Sequence, residues 1–250
     1  MTKIIGIIQA RLASKRLPKK VMLELEGKPV LWHIYNRLKQ CSTLNEVVIS
    51  TGEYNNNKEI CDFATDNNIP LFVGSEIDLI DRLYNTAVNH NAEAVVRITG
   101  DCPLVDPKIV DILVTKFLEK NQQFDIVTNC ESRTFPHGLD IEVISTKTLK
   151  KLWDEIKEPE LREWFPFFIQ KNRKLFKILN IENNDDQSKL RWTLDYSEDY
   201  EFLKKIYKNL FHSKKIFYMQ DILELLKKYP KIQEINSKYI DHHNIGAPKI

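Results

Sequence analysis

Glycine-rich phosphate loops are missing from this 250-residue chain. No glycine stands between Gly6 and Gly27, which excludes both G-x-x-x-x-G-K-[ST] and G-x-G-x-x-G behind the first apolar run. There is no C-x-x-C pair either. Cys41, Cys61, Cys102 and Cys130 are scattered, so neither a zinc site nor a dithiol redox motif is signalled, and reduced thiols imply a cytoplasmic protein. No stretch of 18 apolar residues occurs, so no membrane-spanning helix is expected. Ile4–Ile8, followed by Gln9 and Arg11, is too short for the core of a secretion signal. Charge of one sign is not in excess: 37 Lys and Arg against 35 Asp and Glu leave +2. That balance gives no footprint for nucleic acid or a membrane surface.

What is present reads as an ordinary globular protein, 42% hydrophobic and 29% charged. Short apolar runs at Ile4–Ile8, Glu46–Ser50, Leu71–Val73 and Ala94–Ile98 alternate with helical patterns at Pro29–Leu38, Glu59–Asn67 and Asp78–His90. Alternation of this kind implies βαβ units and a mainly parallel sheet. Further on, helices are expected at Lys108–Lys120, Leu149–Lys157, Glu160–Lys171, Glu198–Lys208 and Met219–Lys228, with extended segments at Asp125–Asn129, Ile141–Ser145, Lys177–Ile181 and Leu190–Leu194. No linker divides the chain. The expectation is one α/β domain over 1–250 with a small inserted subregion at about 130–180. Asn55–Asn57 reads as a loop tip, His33 as part of a core helix face, and His242-His243 as a solvated tail.

Three stretches carry chemistry. "RLASKRLPKK" (11–20) places Arg11, Lys15, Arg16, Lys19 and Lys20 behind the first strand with no acid among them. Open α/β sheets bind ligands at the carboxyl ends of their strands, so the loop is placed to hold a polyphosphate through side chains. A solvated basic loop would carry the same residues, although Pro18 and the following apolar "VMLEL" favour a fixed one. "RITGDCPLVDP" (97–107) turns at Gly100 and brings Asp101 to the same sheet edge, as a Mg²⁺ ligand or as a turn cap. "LRWTLDYSEDYEFL" (190–203) ends an apolar run at Asp195, a second carboxylate for one shared Mg²⁺ or a helix-start residue.

Together these stretches resemble the cytidylyltransferases that make CMP-activated sugar acids. The nearest resemblance is to the branch typified by spore-coat polysaccharide biosynthesis protein F, related to CMP-KDO synthetase. The residues that carry it are "QARLASKRLPKKVMLELEGKPVLWHIYNRLK", "FVGSEIDLIDRLY", "VVRITGDCPLVDP", "PHGLDIEVIS" and "LRWTLDYSEDYEFL", in that branch's order over about 4–205. The resemblance implies a Rossmann-like domain of the nucleotide-diphospho-sugar transferase type. It implies that Gln9, Ala10, Arg11, Ser14, Arg16, Lys20, Ser75, Asp81, Arg82, Gly100 and Asp101 bind the nucleotide. Arg11, Ser14, Arg16 and Lys20 fall on the triphosphate loop, and Ser75, Asp81 and Arg82 near base and ribose. Arg11, Arg16, Lys20 and Asp101 are then the catalytic set, and Asp101 and Asp195 the Mg²⁺ ligands. His137, Asp140 and Glu142 would line the acceptor pocket, with Arg162 and Arg191 as anion contacts.

Three positions depart from the branch. Lys19 stands where it usually has Gly, His137 where it has Asp, and Arg162-Glu163-Trp164 where it has Arg-Glu-His. The last two bear on the acceptor and leave the nucleotide half intact. The implied reaction is transfer of CMP from CTP to a small anionic acceptor, a KDO- or nonulosonate-like sugar acid, with release of pyrophosphate. A phosphorylated or phosphonate acceptor would use similar arginines. Nucleotide-sugar glycosyltransferases usually hold metal with D-x-D, which occurs nowhere in the chain. The aromatic cluster of Trp153, Trp164, Phe165, Phe167 and Phe168 reads as core or as a contact in a homodimer, and no nucleic-acid or membrane partner is expected.

Overall fold

Alternation within each apolar run decides which side of the sheet its residues reach. In β1 (Ile4–Ala10), Ile4, Ile8 and Ala10 face one layer and Ile5 and Ile7 the other, and all five are buried. A strand apolar on both faces belongs inside a sheet covered on both sides.

The structure is a computed structural model that describes residues 2–119, 124–211 and 216–241. After β1 come the two-residue strands β2 (Glu24–Leu25) and β3 (Lys28–Pro29), helix α1 (Val30–Leu38), β4 (Glu46–Thr51), α2 (Lys58–Asp66), β5 (Leu71–Val73), α3 (Leu79–Asn89), β6 (Ala94–Thr99) and α4 (Pro107–Glu119). The second half holds β7 (Ile126–Thr128), β8 (Glu142–Ser145), α5 (Thr146–Glu155), α6 (Pro159–Glu163), α7 (Phe165–Lys171), β9 (Ile178–Asn180), α8 (Ser197–Leu210), α9 (Met219–Lys228) and α10 (Lys231–Glu234). Seven strands form one sheet in the order β5-β4-β1-β6-β8-β7-β9. β1, β4, β5 and β6 are mutually parallel, and β8 runs against both neighbours. Helices α1, α2, α4, α8 and α9 pack on one face, and α3, α5 and α7 on the other.

The expected mainly parallel α/β sheet is therefore present, with most elements within a few residues of their sequence positions. His33 is buried in α1 and bonded to the Leu25 carbonyl (2.7 Å). Burial pulls its pKa down to about 4, which leaves the ring neutral. None of the four cysteines forms a disulfide, and among the described residues no helix is long and apolar enough to cross a membrane.

Four expectations change. Leu190–Leu194 is not a strand but an irregular segment with one bridge, His137 to Arg191. Its apolar residues are apolar because Leu190, Trp192 and Leu194 sink into the core. Glu160–Lys171 is two helices, broken at Trp164, because Pro166 has no N–H to continue the first. The 130–180 stretch supplies β8 and β9 to the central sheet as well as α5–α7. Asn57 is no loop tip: it is fully buried and anchors a neighbouring loop. His242-His243 lies outside the described residues.

Candidate active site

The loop behind β1 is held by its own backbone and by one distant side chain. Ser14 and Lys19 both donate their N–H to the Leu12 carbonyl (2.9 and 3.1 Å), and Leu17 N–H donates to Ser14 Oγ (3.3 Å). Leu12 N–H donates to Asn57 Oδ1 (2.9 Å). Lys19 sits in the left-handed region at φ 56°, which opens the short 3₁₀ turn Lys20–Met22. A non-glycine residue is disfavoured there, and this is the position where the resembling branch has Gly.

The loop sends its cations in different directions. Arg11 donates through Nη1 to the Glu76 carbonyl (2.7 Å) and through Nη2 to Glu163 Oε1 (2.5 Å). Arg16 pairs with Asp195 Oδ1 (3.0 Å) and lies over the Tyr196 ring. Lys20 Nζ donates to both Asp101 Oδ2 (2.6 Å) and Asp195 Oδ1 (2.7 Å). Lys15 is exposed, and Lys19 pairs with Glu59.

Lys20 thus joins two carboxylates that lie 94 positions apart in the chain. Burial pulls the Lys20 pKa down, but Asp101 and Asp195 outweigh it and the net shift is upward. Burial likewise pushes Asp101 up, while the Lys20 ammonium and the Thr99 hydroxyl hold its carboxyl well below the usual range. Both groups are charged near neutrality.

The sheet positions Asp101. Gly100 N–H donates to the Gln9 carbonyl (2.9 Å), and a Cβ on Gly100 would meet that oxygen at 3.0 Å and Ala10 Cβ at 3.2 Å. Gln9, Ala10 and Gly100 therefore form a close backbone floor beneath the site. Asp195 is tied to it because Leu194 N–H and Thr193 Oγ1 both donate to the Asp101 carbonyl (2.9 and 3.2 Å). Two converging carboxylates are a hard-cation donor set, fewer than a protein-only site needs. Among the described residues no group of three or more metal-ligating side chains occurs.

The residues matched to base and ribose lie at the start of α3. Ser75 Oγ accepts from Asp78 N–H (3.0 Å), and its carbonyl accepts from Arg82 Nη1 (2.5 Å). Arg82 is buried, which lowers its pKa to about 10, and its Nε has no partner. Asp81 accepts from the Trp153 indole (2.8 Å).

Among the residues matched to the acceptor pocket, Asp140 is clasped by both terminal nitrogens of Arg133, and Glu142 pairs with Arg97, which also donates to Gln9 Oε1 (2.6 Å). The His137 ring lies 3.4 Å from Arg191 and 3.8 Å from Asp140, and burial lowers its pKa. Gly138 lets this segment approach Thr193: at φ 110°, a Cβ would stand 2.6 Å from Thr193 N.

Arg162 and Arg191 are both engaged with internal partners. Arg162 donates to Asp78 Oδ2 (2.5 Å) and to the Trp153 and Ile156 carbonyls, locking α6 onto α3. Arg191 is buried and forks onto Asp199 (2.9 and 2.8 Å). Sequence reasoning also missed Asn57, Glu76, Glu163, Arg133 and Asp199. Only Asp199 carried a local signal, as the acid at the third position of a helix start.

Among solved structures, a cytidylyltransferase from Leptospira borgpetersenii serovar Hardjo-bovis is similar over 93% of this chain and 97% of its own, at 36% identity and a TM-score of 0.88. Spore coat polysaccharide biosynthesis protein SpsF of Bacillus subtilis is 26% identical over 83% of this chain and 87% of its own length. The 3-deoxy-manno-octulosonate cytidylyltransferase of Lawsonia intracellularis is 32% identical over 56% of this chain and 57% of its own. A cytidylyltransferase family model matches residues 5–239, and the protein accordingly belongs to the cytidylyltransferase family of CTP-dependent nucleotidyltransferases.

Proposed function

We propose that the protein transfers CMP from CTP to a small sugar acid of the KDO or nonulosonate type, releasing pyrophosphate, to make a precursor for surface polysaccharide. The single observation that carries this reading is the convergence of Asp101 and Asp195 on Lys20 beside Arg16. The names of the spore-coat and octulosonate relatives support the acceptor class.

In the reaction an acceptor oxygen attacks the α-phosphorus, a new P–O bond forms, and the bond to the β-phosphate oxygen breaks. Little covalent chemistry is asked of the protein; alignment and charge stabilisation suffice. Arg11, Arg16 and Lys20 exchange their acid partners for phosphate oxygens and stabilise the departing pyrophosphate. Asp101 and Asp195, both already facing the Lys20 ammonium, fit a magnesium ion that prefers one or two carboxylates plus phosphate oxygens. When bound, magnesium supplies charge neutralisation at the α-phosphate and lowers the pKa of the acceptor oxygen.

The test is pyrophosphate release with each of the four nucleoside triphosphates crossed against sugar acids and phosphorylated metabolites. Turnover with CTP and a KDO- or nonulosonate-like acid is expected. Turnover only with phosphorylated or phosphonate acceptors selects the second reading, and none with CTP overturns both. A homodimer built on the partly exposed Trp164, Phe167 and Phe168 belongs to the same proposal, with Phe165 spent in the protomer's own core, and a monomer at micromolar concentration in sedimentation overturns that part.

A further inference from the structure

Asp195 sits at the end of a segment with no ladder to hold it. Residues 190–196 make one isolated bridge, and their backbone bonds to His137 and Asp101 stop at Leu194, one residue short of the carboxylate. We propose that Asp199 is a positioning residue for Asp195, acting with Arg191 and Asn236, so that the stretch 236–239 completes the nucleotide site.

Asp199 is 0% exposed. A buried carboxylate is costly unless its lone pairs are filled, and here they are. One oxygen accepts from the backbone N–H of Asp195 (2.9 Å) and Tyr196 (3.0 Å) and from Arg191 Nη2 (2.8 Å). The other accepts from Arg191 Nε and Asn236 Nδ2, both at 2.9 Å.

An acid that only starts a helix needs the backbone donors alone. A buried arginine and an asparagine 37 positions downstream exceed that need. Arg191 reaches on from Asp199 to Asp195 Oδ2 (3.7 Å) and to the Tyr239 carbonyl (3.3 Å). Asn236 also donates to the Arg191 carbonyl (2.9 Å). Tyr239 stacks on Tyr196 with ring centres 3.9 Å apart, and Tyr196 lies beneath the Arg16 guanidinium. The same short stretch therefore backs both the carboxylate and a cation of the phosphate loop.

The inference rests on the reading that Asp195 holds the divalent ion, and the experiment separates the two. Asp199→Asn keeps the shape but cannot accept from five donors, and Asn236→Ala removes one donor from outside the site. Each is compared with Asp195→Asn in three measurements. These are Mn²⁺ binding in the presence of CTP, followed by the free-ion resonance; the divalent-ion dependence of kcat; and amide exchange over 192–197 against β1. Asp199→Asn should weaken Mn²⁺ binding about 10- to 100-fold, as loss of outer-shell partners does. It should speed exchange over 192–197 while β1 stays protected and CTP binding in EDTA changes little. Asn236→Ala should move the same quantities in the same direction by less.

If Asp195→Asn weakens Mn²⁺ binding and neither other variant does, the positioning role is wrong and the site reading stands. If Asp195→Asn itself changes nothing, the site reading fails. Should Asp199→Asn lose protection throughout the sheet, Asn236→Ala decides, and an unchanged Mn²⁺ titration in it overturns the inference.

Discussion

The arginines of the phosphate loop and those of the stretches beyond residue 130 all have acidic partners, yet the pairs differ between the two regions. Arg11 meets Glu163 through one nitrogen with its side chain 32% exposed, and Arg16 meets Asp195 the same way at 36%. Arg191 is 1% exposed and forks onto a carboxylate that water does not reach. Arg133 clasps Asp140 with two nitrogens. A half-exposed single contact is worth little and changes partner readily. A buried fork cannot open without stranding a charge, at a cost of several kcal/mol. Pairing by itself does not remove a cation from ligand binding; burial and a two-point grip do.

The sharpest way to break this contrast is to truncate one arginine from each side. Arg191→Ala should lose about 3–5 kcal/mol of stability in urea unfolding, because Asp199 is left buried and unpaired. Arg11→Ala should leave the unfolding midpoint within error of wild type. Equal losses would erase the distinction.

Next in size are the carboxylates on Lys20. Asp101→Asn and Asp195→Asn should each lower kcat about 10²- to 10³-fold with the fold retained by circular dichroism. Undiminished turnover in both would remove them from the chemistry.

Within the loop, losing Arg11, Arg16 or Lys20 should cost about 1.5–3 kcal/mol of CTP affinity, or roughly 10- to 150-fold by calorimetry. Arg16→Lys should already weaken binding, since an ammonium cannot replace the planar fork. Lys15→Ala should do much less. Uniform modest losses across all five cations would mean a diffuse basic patch.

A pH-linked effect belongs to the same pair. Asp101 titrates lower in the folded chain than the ordinary value of about 3.9, so its stabilisation is present above that pH and fades as pH falls through the folded value. Lys20 titrates higher than the ordinary value of about 10.4, so its share is present below that pH and fades as pH rises through the folded value. Lys20→Met should flatten both edges in pH-resolved unfolding. The smallest change is Lys19→Gly, which relieves the left-handed strain and should add about 0.5–1 kcal/mol of stability with CTP affinity nearly unchanged.

Strands β1, β4, β5 and β6 were legible because an apolar run between polar turns has few other uses in an α/β chain. The same rule misreads Leu190–Leu194, whose side chains are buried while its backbone bonds to Asp101 and His137 instead of to a ladder. In the site, Asp101 and Asp195 stood out through their motifs. Glu163 gave no sign of its pairing: its partner Arg11 is 152 positions away, and only the packing of α6 over the sheet edge brings them together. The internal partners of Arg162 and Arg191 were hidden for a related reason. A sequence shows that an arginine is present, but not whether Asp78 or Asp199 has already taken it.

β8 has one more implication. Because it runs against β6, with Glu142 opposite Arg97, its first residue reaches the edge where β1 and β6 end. A loop that precedes a strand and loops that follow strands therefore meet at the same sheet edge. The entering loop, 129–141, hangs from β7 and β8 and takes no part in the pairing of β1 with β4 or β6. The register that aims Asp101 is set by the strand pairs of β1 and not by this loop. The turn that carries Asp101 and the loop that carries His137 and Asp140 are thus hung from different strand pairs of one sheet.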